Sequence, residues 1–433
     1  MTERVLFFPW GWGGAAGYTA RCLALAQHLA AAGDEIAFAD CGVSRLVREA
    51  GFPVLPSGSE APRPPEYYTV PPYLPFADVE RVFAVAAGYH RAERVERRLA
   101  ADAAAIDAYR PTLVVIDMSP TAALAARSAG VPVVSLADAD FVTPEPNGWM
   151  PWSEVAPRAL LPHPSSLPVL DAVSRRLDLG PVARAEHLLW GDVTLIPSLP
   201  ELEPVVGPPH RGVLHHVGPL YWNPEVPAGT PVPPATELPK VYVTIGSGGM
   251  VGREALQNVL DACAGHPWSV FVSTGYAFDG ELTVPENVVL AGFTGLDGPL
   301  DWADVVVCHG GYSTVLATLT HGKPLVILPF MSEQEMNGRQ LVEDIGAGRL
   351  LRTSRTTEHG RLAFRNRYSG PSSEAVVGPA DIGRGIADVL SDPAMACRAG
   401  QWGARLRKRR ESTDLVALAH AALHARARIE EAS

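Results

Sequence analysis

Residues 4 to 40 carry the strongest constraint on how this chain folds: an apolar run, RVLFFPW, a glycine-rich turn, the segment ARCLALAQHLAAAG, and a second apolar run, IAFAD. Apolar positions in the middle segment recur at helical spacing and stop at Gly33, the residue type that most readily ends a helix. Strand, turn, helix and strand in that order make a βαβ unit, which calls for a parallel sheet covered by helices.

The same alternation recurs along the chain. TLVVID (112 to 117) leads into a helix through Arg127 and then into VPVVSLA (131 to 137). Prolines and polar residues from Asn223 to Pro239 then interrupt it, a composition typical of linkers. Beyond them it restarts with KVYVTIGS, a helix near Arg253 to Ala264, WSVFVST, NVVLAGF, ADVVVCHGG, a helix to His321, and PLVILPF. A chain of 433 residues is long enough for two cores. The expected fold class is α/β, with two doubly wound Rossmann-like domains facing across a cleft. The expected boundaries are an N-terminal domain over 1–220, a linker over 221–238, a C-terminal domain over 239–412 and an amphipathic helix over 413–433 that is free to brace either half, the N-terminal domain included.

Charge and composition exclude several classes of partner. A net charge of -11 with no concentrated basic stripe argues against nucleic acid. The apolar stretch at the N-terminus, about six residues long, is shorter than a signal-peptide core and far shorter than a membrane span. A soluble, cytoplasmic protein is expected, with a homodimer left open. Five cysteines are scattered without a Cys-x-x-Cys pair and are expected to act as small buried hydrophobes, with no metal site. Two segments rich in proline and aromatics, APRPPEYYTVPPYLPF (61 to 76) and FVTPEPNGWMPWSEVAPRALLPHP (141 to 164), are either stiff covers over the sheet or a mobile lid over an apolar ligand.

Chemistry concentrates in residues 303 to 351. A buried strand ends at Cys308, and the chain turns through His309, Gly310 and Gly311 into a helix expected to begin near Ser313. Free N–H groups and the helix dipole favour an anion at such a turn, and Ser313 and Thr314 add hydroxyl donors. Ser313 as a plain N-cap is the alternative. The next strand, PLVILPF, ends in SEQ, so Glu333 and Gln334 lie at the carboxyl end of a neighbouring strand, where ligands of parallel sheets bind. A carboxylate beside an amide suits vicinal hydroxyls. An anion site next to a hydroxyl-reading site describes a nucleotide sugar.

This stretch resembles the nucleotide-sugar signature of the GT-B glycosyltransferases of family 1, which include UDP-sugar transferases and antibiotic glycosyltransferases. The resemblance implies that His309, Gly310, Gly311, Ser313 and Thr314 hold the diphosphate and that Glu333 and Gln334 read the sugar, Glu333 standing where an Asp is more usual. It further implies Ser247 and Gly248 at the diphosphate, and Phe293 and Thr294 at the base. The N-terminal domain would then bind the acceptor, with Gly17, Tyr67, Tyr68, Phe141 and Trp149 as candidates. The co-substrate would be a UDP- or dTDP-sugar with no further cofactor, and the family implies inversion and a small natural-product acceptor. The segment from 352 to 375 is longer and more basic than the family's connection.

The resemblance also poses a problem. The family keeps a basic His in a Gly-His turn after the first strand, oriented by an Asp on a later strand; here Tyr18 follows Gly17 and Asp117 stands at the orienting position. A phenol titrates near 10 and is a poor base at neutral pH. Asp117, Tyr18 and Asp138 are therefore the catalytic candidates, with Asp140 beside them. Two rival expectations remain: a nucleotide-sugar hydrolase, since GYTARCLALA also resembles the turn of hydrolases of nonulosonic acid biosynthesis, and a catalytically silent nucleotide-sugar-binding homologue that partners another transferase.

Overall fold

The structure, a computed structural model, describes residues 2–10, 16–40, 43–56, 79–143, 164–226, 228–246, 253–275, 281–329, 332–351, 354–356, 362–364 and 377–430. Seven strands form the first sheet: β1 (Arg4–Pro9), β2 (Glu35–Ala39), β3 (Val54–Leu55), β4 (Leu113–Asp117), β5 (Val133–Leu136), β6 (Val193–Ile196) and β7 (Val213–His216). They lie parallel in the order β3-β2-β1-β4-β5-β6-β7. A second parallel sheet follows the same plan, β10-β9-β8-β11-β12-β13, built from β8 (Lys240–Thr244), β9 (Ser269–Ser273), β10 (Val288–Ala291), β11 (Val305–Cys308), β12 (Leu325–Ile327) and β13 (Gly348–Leu350). Two short strands inside the long connection, β14 (Ser354–Thr356) and β15 (Leu362–Phe364), pair antiparallel.

Helices cover both faces of each sheet, which is why the strands read as unbroken apolar runs. In β1, Leu6 and Phe8 enter the core on one face and Val5 and Phe7 the core on the other. In β11, Val306 and Cys308 likewise divide from Val305 and Val307. Each such side chain contributes about 1.5–3 kcal/mol when fully removed from water. Cys22, Cys263 and Cys308 behave as buried hydrophobes, but Cys397 is exposed. It lies midway between the buried Met395 and Ala399 on the helix Pro393–Ser412 and so points to the opposite, solvent side.

The halves are pinned together by alternating side chains. Leu220 and Trp222 belong to a core of the first half, and Tyr221 between them belongs to the second. Leu199 and Leu202, on the loop after β6, also enter the second half's core. Arg405 pairs with Glu201 at 2.5 Å, and Arg409 donates to the His216 carbonyl at 2.6 Å. The last helix, Leu415–Glu430, returns to the first half, where Leu415, Ala419 and Ala422 join its core and His420 Nε2 meets Asp34 Oδ2 at 2.7 Å. No described helix is long and apolar enough to cross a membrane.

Candidate active site

In both sheets the strand order reverses beside the first strand, between β1 and β4 and between β8 and β11. Crevices open at such reversals, at the carboxyl ends of the strands. One cavity of about 210 Å³ lies there, lined by both halves: Gly17, Tyr18, Arg21 and Asp138 from the first, and His309, Ser313, Thr314, Glu333 and Gln334 from the second.

The second half shapes its side of the cavity through glycine. After β11 the chain passes through His309 to Gly310, whose φ of +87° only glycine adopts without strain. A Cβ there would lie 2.6 Å from the Gln334 carbonyl oxygen, so the missing side chain lets the two loops touch. A Cβ on Gly311 would lie 2.4 Å from His309 Nε2. Gly311 is the N-cap of the helix Tyr312–Thr320 and has no side chain with which to cap it. Of the first-turn N–H groups, that of Tyr312 bonds the Glu333 carboxylate, while Ser313 and Thr314 line the cavity at the helix N-terminus, a place whose dipole favours an anion. Ser313 lies within that first turn and is not the cap. Burial pushes the His309 imidazole down to about 4, so at neutral pH it offers hydrogen bonds and no charge.

Glu333 and Gln334 lie in the first turn of the helix Ser332–Gly338, directly after β12. Asn337, one turn on and buried, donates to Glu333 Oε1 at 2.7 Å and to the Gly310 carbonyl at 2.9 Å. One amide thereby joins the loop carrying Glu333 to the turn at Gly310. Burial and then the negative charge of Asp138 push Glu333 up to about 7.

The first half is organised around Arg21. This residue is 2% exposed and sits one turn into the helix Gly17–Ala31. Its Nε donates to Asp117 Oδ2 at 2.5 Å and its Nη2 to Asp117 Oδ1 at 2.8 Å, a bidentate pair, while Nη1 donates to Asp138 Oδ1. Asp117 ends β4 and is followed by Met118 in a left-handed conformation, φ +55°, a strained geometry held by its packed surroundings. Burial, opposed by Arg21, holds the Asp117 carboxyl up at about 6. Asp138 is the N-cap residue of the helix Ala139–Val142, yet its side chain caps nothing and turns to Arg21 instead. Tyr18 lines the cavity with its ring 5.1 Å from the Arg21 guanidinium, and burial followed by the charges of Asp138 and Glu333 raises its phenol well above the usual value.

A tie joins the two sides. Tyr312, first residue of the anion-turn helix, donates from Oη to Glu203 Oε2 of the first half at 2.5 Å, and Arg21 lies 5.6 Å from its ring. Gly17 faces the same turn, a Cβ there falling 3.8 Å from Ser313 Oγ.

Most residues singled out from the sequence therefore meet at one cavity. Phe293 and Thr294 also line it, Thr294 Oγ1 lying 2.6 Å from Ser273 Oγ. Asp117 does not face the cavity but backs Arg21. Phe141 is not on the wall: the short helix after Asp138 turns its ring into the core, where it is 2% exposed. Asp140 is buried nearby, its carboxyl raised well above the usual range by burial and by Glu203. Tyr67, Tyr68, Trp149, Ser247 and Gly248 lie outside the described residues. Sequence reasoning missed Arg21, Tyr312, Glu203 and Asn337; Arg21 had a local signal, an arginine on the apolar face of a helix entering a cleft. Among the described residues no group of three His, Cys, Asp or Glu side chains is placed to hold a metal ion.

Two doubly wound sheets meeting at their reversal points around one cavity define the GT-B architecture. Residues 252–362 match the glycosyltransferase family 28 C-terminal domain. A PGL/p-HBAD biosynthesis glycosyltransferase of Mycobacterium tuberculosis is 30% identical over 299 residues, 64% of this chain and 67% of that one. Among solved structures, the spinosyn forosaminyltransferase SpnP superposes with a TM-score of 0.63 at 21% identity over 95% of this chain and 96% of its own. The spinosyn rhamnosyltransferase SpnG complexed with thymidine diphosphate gives 0.64 at 20% over 94% and 96%. The chain belongs to the GT-B glycosyltransferases, and it is an enzyme of that class.

Proposed function

We propose that the enzyme transfers a sugar, with inversion, from a UDP- or dTDP-sugar to the hydroxyl of a small aromatic natural product. The observation that carries this is the single cavity in which an anion turn, a carboxylate–amide pair and a carboxylate of the opposite half converge. The N-terminus of the helix Tyr312–Thr320, through the backbone and hydroxyls of Ser313 and Thr314, takes with His309 the charge that develops on the leaving diphosphate. Glu333 and Gln334 hold the sugar hydroxyls. Tyr18, Tyr221, Trp222 and Phe293 supply aromatic surface in the cavity. The thymidine diphosphate carried by SpnG, a protein of the same fold, supports a thymidine or uridine diphosphate here.

Asp138 is the base in this reading. It accepts the acceptor's hydroxyl proton as the oxygen attacks the anomeric carbon and the bond from that carbon to the diphosphate oxygen breaks. Tyr18, whose phenol is raised, contacts the acceptor and takes no proton. The test is turnover of dTDP-glucose with a phenol, with the anomeric configuration of the product read by NMR. A β-glucoside, with activity lost in Asp138→Asn, is expected; an α-glucoside, or an Asp138→Asn variant of undiminished turnover, would sink the reading.

A further inference from the structure

The role of Arg21 is set by its neighbours. A buried guanidinium facing a cleft would ordinarily serve as an anion site, but here three of its nitrogens are occupied, two by Asp117 and one by Asp138. Asp117 is fully buried and has no place on the cavity wall, whereas Asp138 has one. Planar donors in a fixed fork therefore run from an anchored carboxylate to a cavity-facing one. The rings of Tyr18 and Tyr312, centred 5.1 and 5.6 Å from the guanidinium carbon, add cation–π contacts to its confinement. Asp117 is itself fixed at the end of β4 by the ladder to β1 and β5.

We infer that Arg21 is a positioning residue for the transfer: anchored by Asp117, it fixes the Asp138 carboxylate with one oxygen bound and the other turned toward the acceptor hydroxyl. This inference rests on the reading of Asp138 as the base. The Asp117–Arg21–Asp138 chain occupies the place of an Asp-oriented histidine, with the proton-accepting atom moved from an imidazole to a carboxylate. It also explains why Tyr18 can stand in the turn. With the base supplied from the end of β5, the residue after Gly17 is free to form the wall of the cavity.

The test compares Arg21→Lys, Asp117→Asn and Asp138→Asn on dTDP-glucose at pH 8 with three acceptors: 4-nitrophenol, largely ionised at that pH, and phenol and 4-methoxyphenol, which are not. Lysine keeps the charge of Arg21 but reaches only one carboxylate at a time. The expected result is a kcat loss of roughly 10²-fold in Arg21→Lys for the two protonated phenols, shrinking to a few-fold for 4-nitrophenol, with dTDP affinity by calorimetry unchanged. Asp117→Asn, the milder change should Arg21→Lys fail to fold, gives the same pattern at smaller amplitude. If Asp138→Asn shows that acceptor dependence while Arg21→Lys and Asp117→Asn lose activity equally on all three acceptors, or lose none, Arg21 does not position the base. If Asp138→Asn itself shows no such dependence, the base assignment fails instead.

Discussion

Tyr312 Oη donates to Glu203 Oε2 at 2.5 Å, tying the first residue of the anion-turn helix to a loop of the opposite half. Both groups are buried, so Tyr312→Phe leaves the Glu203 carboxyl without that donor at a cost of about 1–3 kcal/mol in unfolding free energy. The sign with pH follows from Glu203, which burial and then Asp138 push from 4.5 up to about 7. A raised carboxyl makes its full contribution to stability below its unfolded value and loses it as pH rises through the folded one. Urea titrations should therefore show a larger deficit for Tyr312→Phe at pH 8 than at pH 5, and Glu203→Gln should flatten the stability of the parent enzyme between pH 4.5 and 7. A deficit independent of pH would remove Glu203 from the account.

His309 contributes hydrogen bonds without charge because burial pushes its imidazole down to about 4. His309→Ala should lower kcat/KM by about 10²–10³, the scale set by losing one preorganised donor at a developing anion. The thermal transition should stay close to the parent's. No limb of the pH–rate profile between 6 and 7 should disappear in this variant, and the loss of one would show that the imidazole is charged in the working enzyme.

Asn337 joins the Glu333 loop to Gly310, so truncating it should loosen sugar reading and diphosphate binding together. Asn337→Ala is expected to raise the donor KM about tenfold, the equivalent of 1.4 kcal/mol. Because Glu333 is pushed up to about 7, its ionised and hydroxyl-accepting form grows as pH rises through 7. Donor KM should fall over that interval in the parent enzyme and stay level in Glu333→Gln.

Tyr18→Phe should retain turnover to within a few-fold, since the raised phenol neither ionises nor donates a charge at neutral pH. Acceptor KM is the parameter expected to move, through the lost hydroxyl at the cavity wall. A kcat loss as large as that of Asp138→Asn would return the proton-accepting role to the phenol.

The sheets were legible because a parallel strand covered on both faces is a short apolar run with a turn after it, and β1, β4, β8, β11 and β12 all announce themselves in this way. The turn into the helix Tyr312–Thr320 was legible for the same reason: His309-Gly310-Gly311 sits where such a strand stops. The short strands β3, β6, β7 and β13 and the helices Ala92–Tyr109 and Pro393–Ser412 were not read. Nor were the pairings that organise the cavity. Arg21 meets Asp117 and Asp138 across 96 and 117 residues, and Tyr312 meets Glu203 across 109. Periodicity records only which face of its own element a residue occupies; the Arg21 partners are set by how the first half's strands and helix pack, and Tyr312–Glu203 by how the two halves dock. Asn337 was a different omission: it lies one turn beyond Glu333, within reach of local reasoning, but an asparagine in a helix also satisfies an ordinary surface position.

The most direct test of the proposed site is release of nucleoside diphosphate from dTDP-glucose and UDP-glucose, measured with and without 4-methoxyphenol for the parent enzyme, His309→Ala and Asp138→Asn. Release should depend on the phenol in the parent, fall with both donors in His309→Ala, and lose its dependence on the phenol in Asp138→Asn. Release at the same rate with and without phenol, or an Asp138→Asn variant that keeps the full acceptor-stimulated rate, would contradict the proposed site.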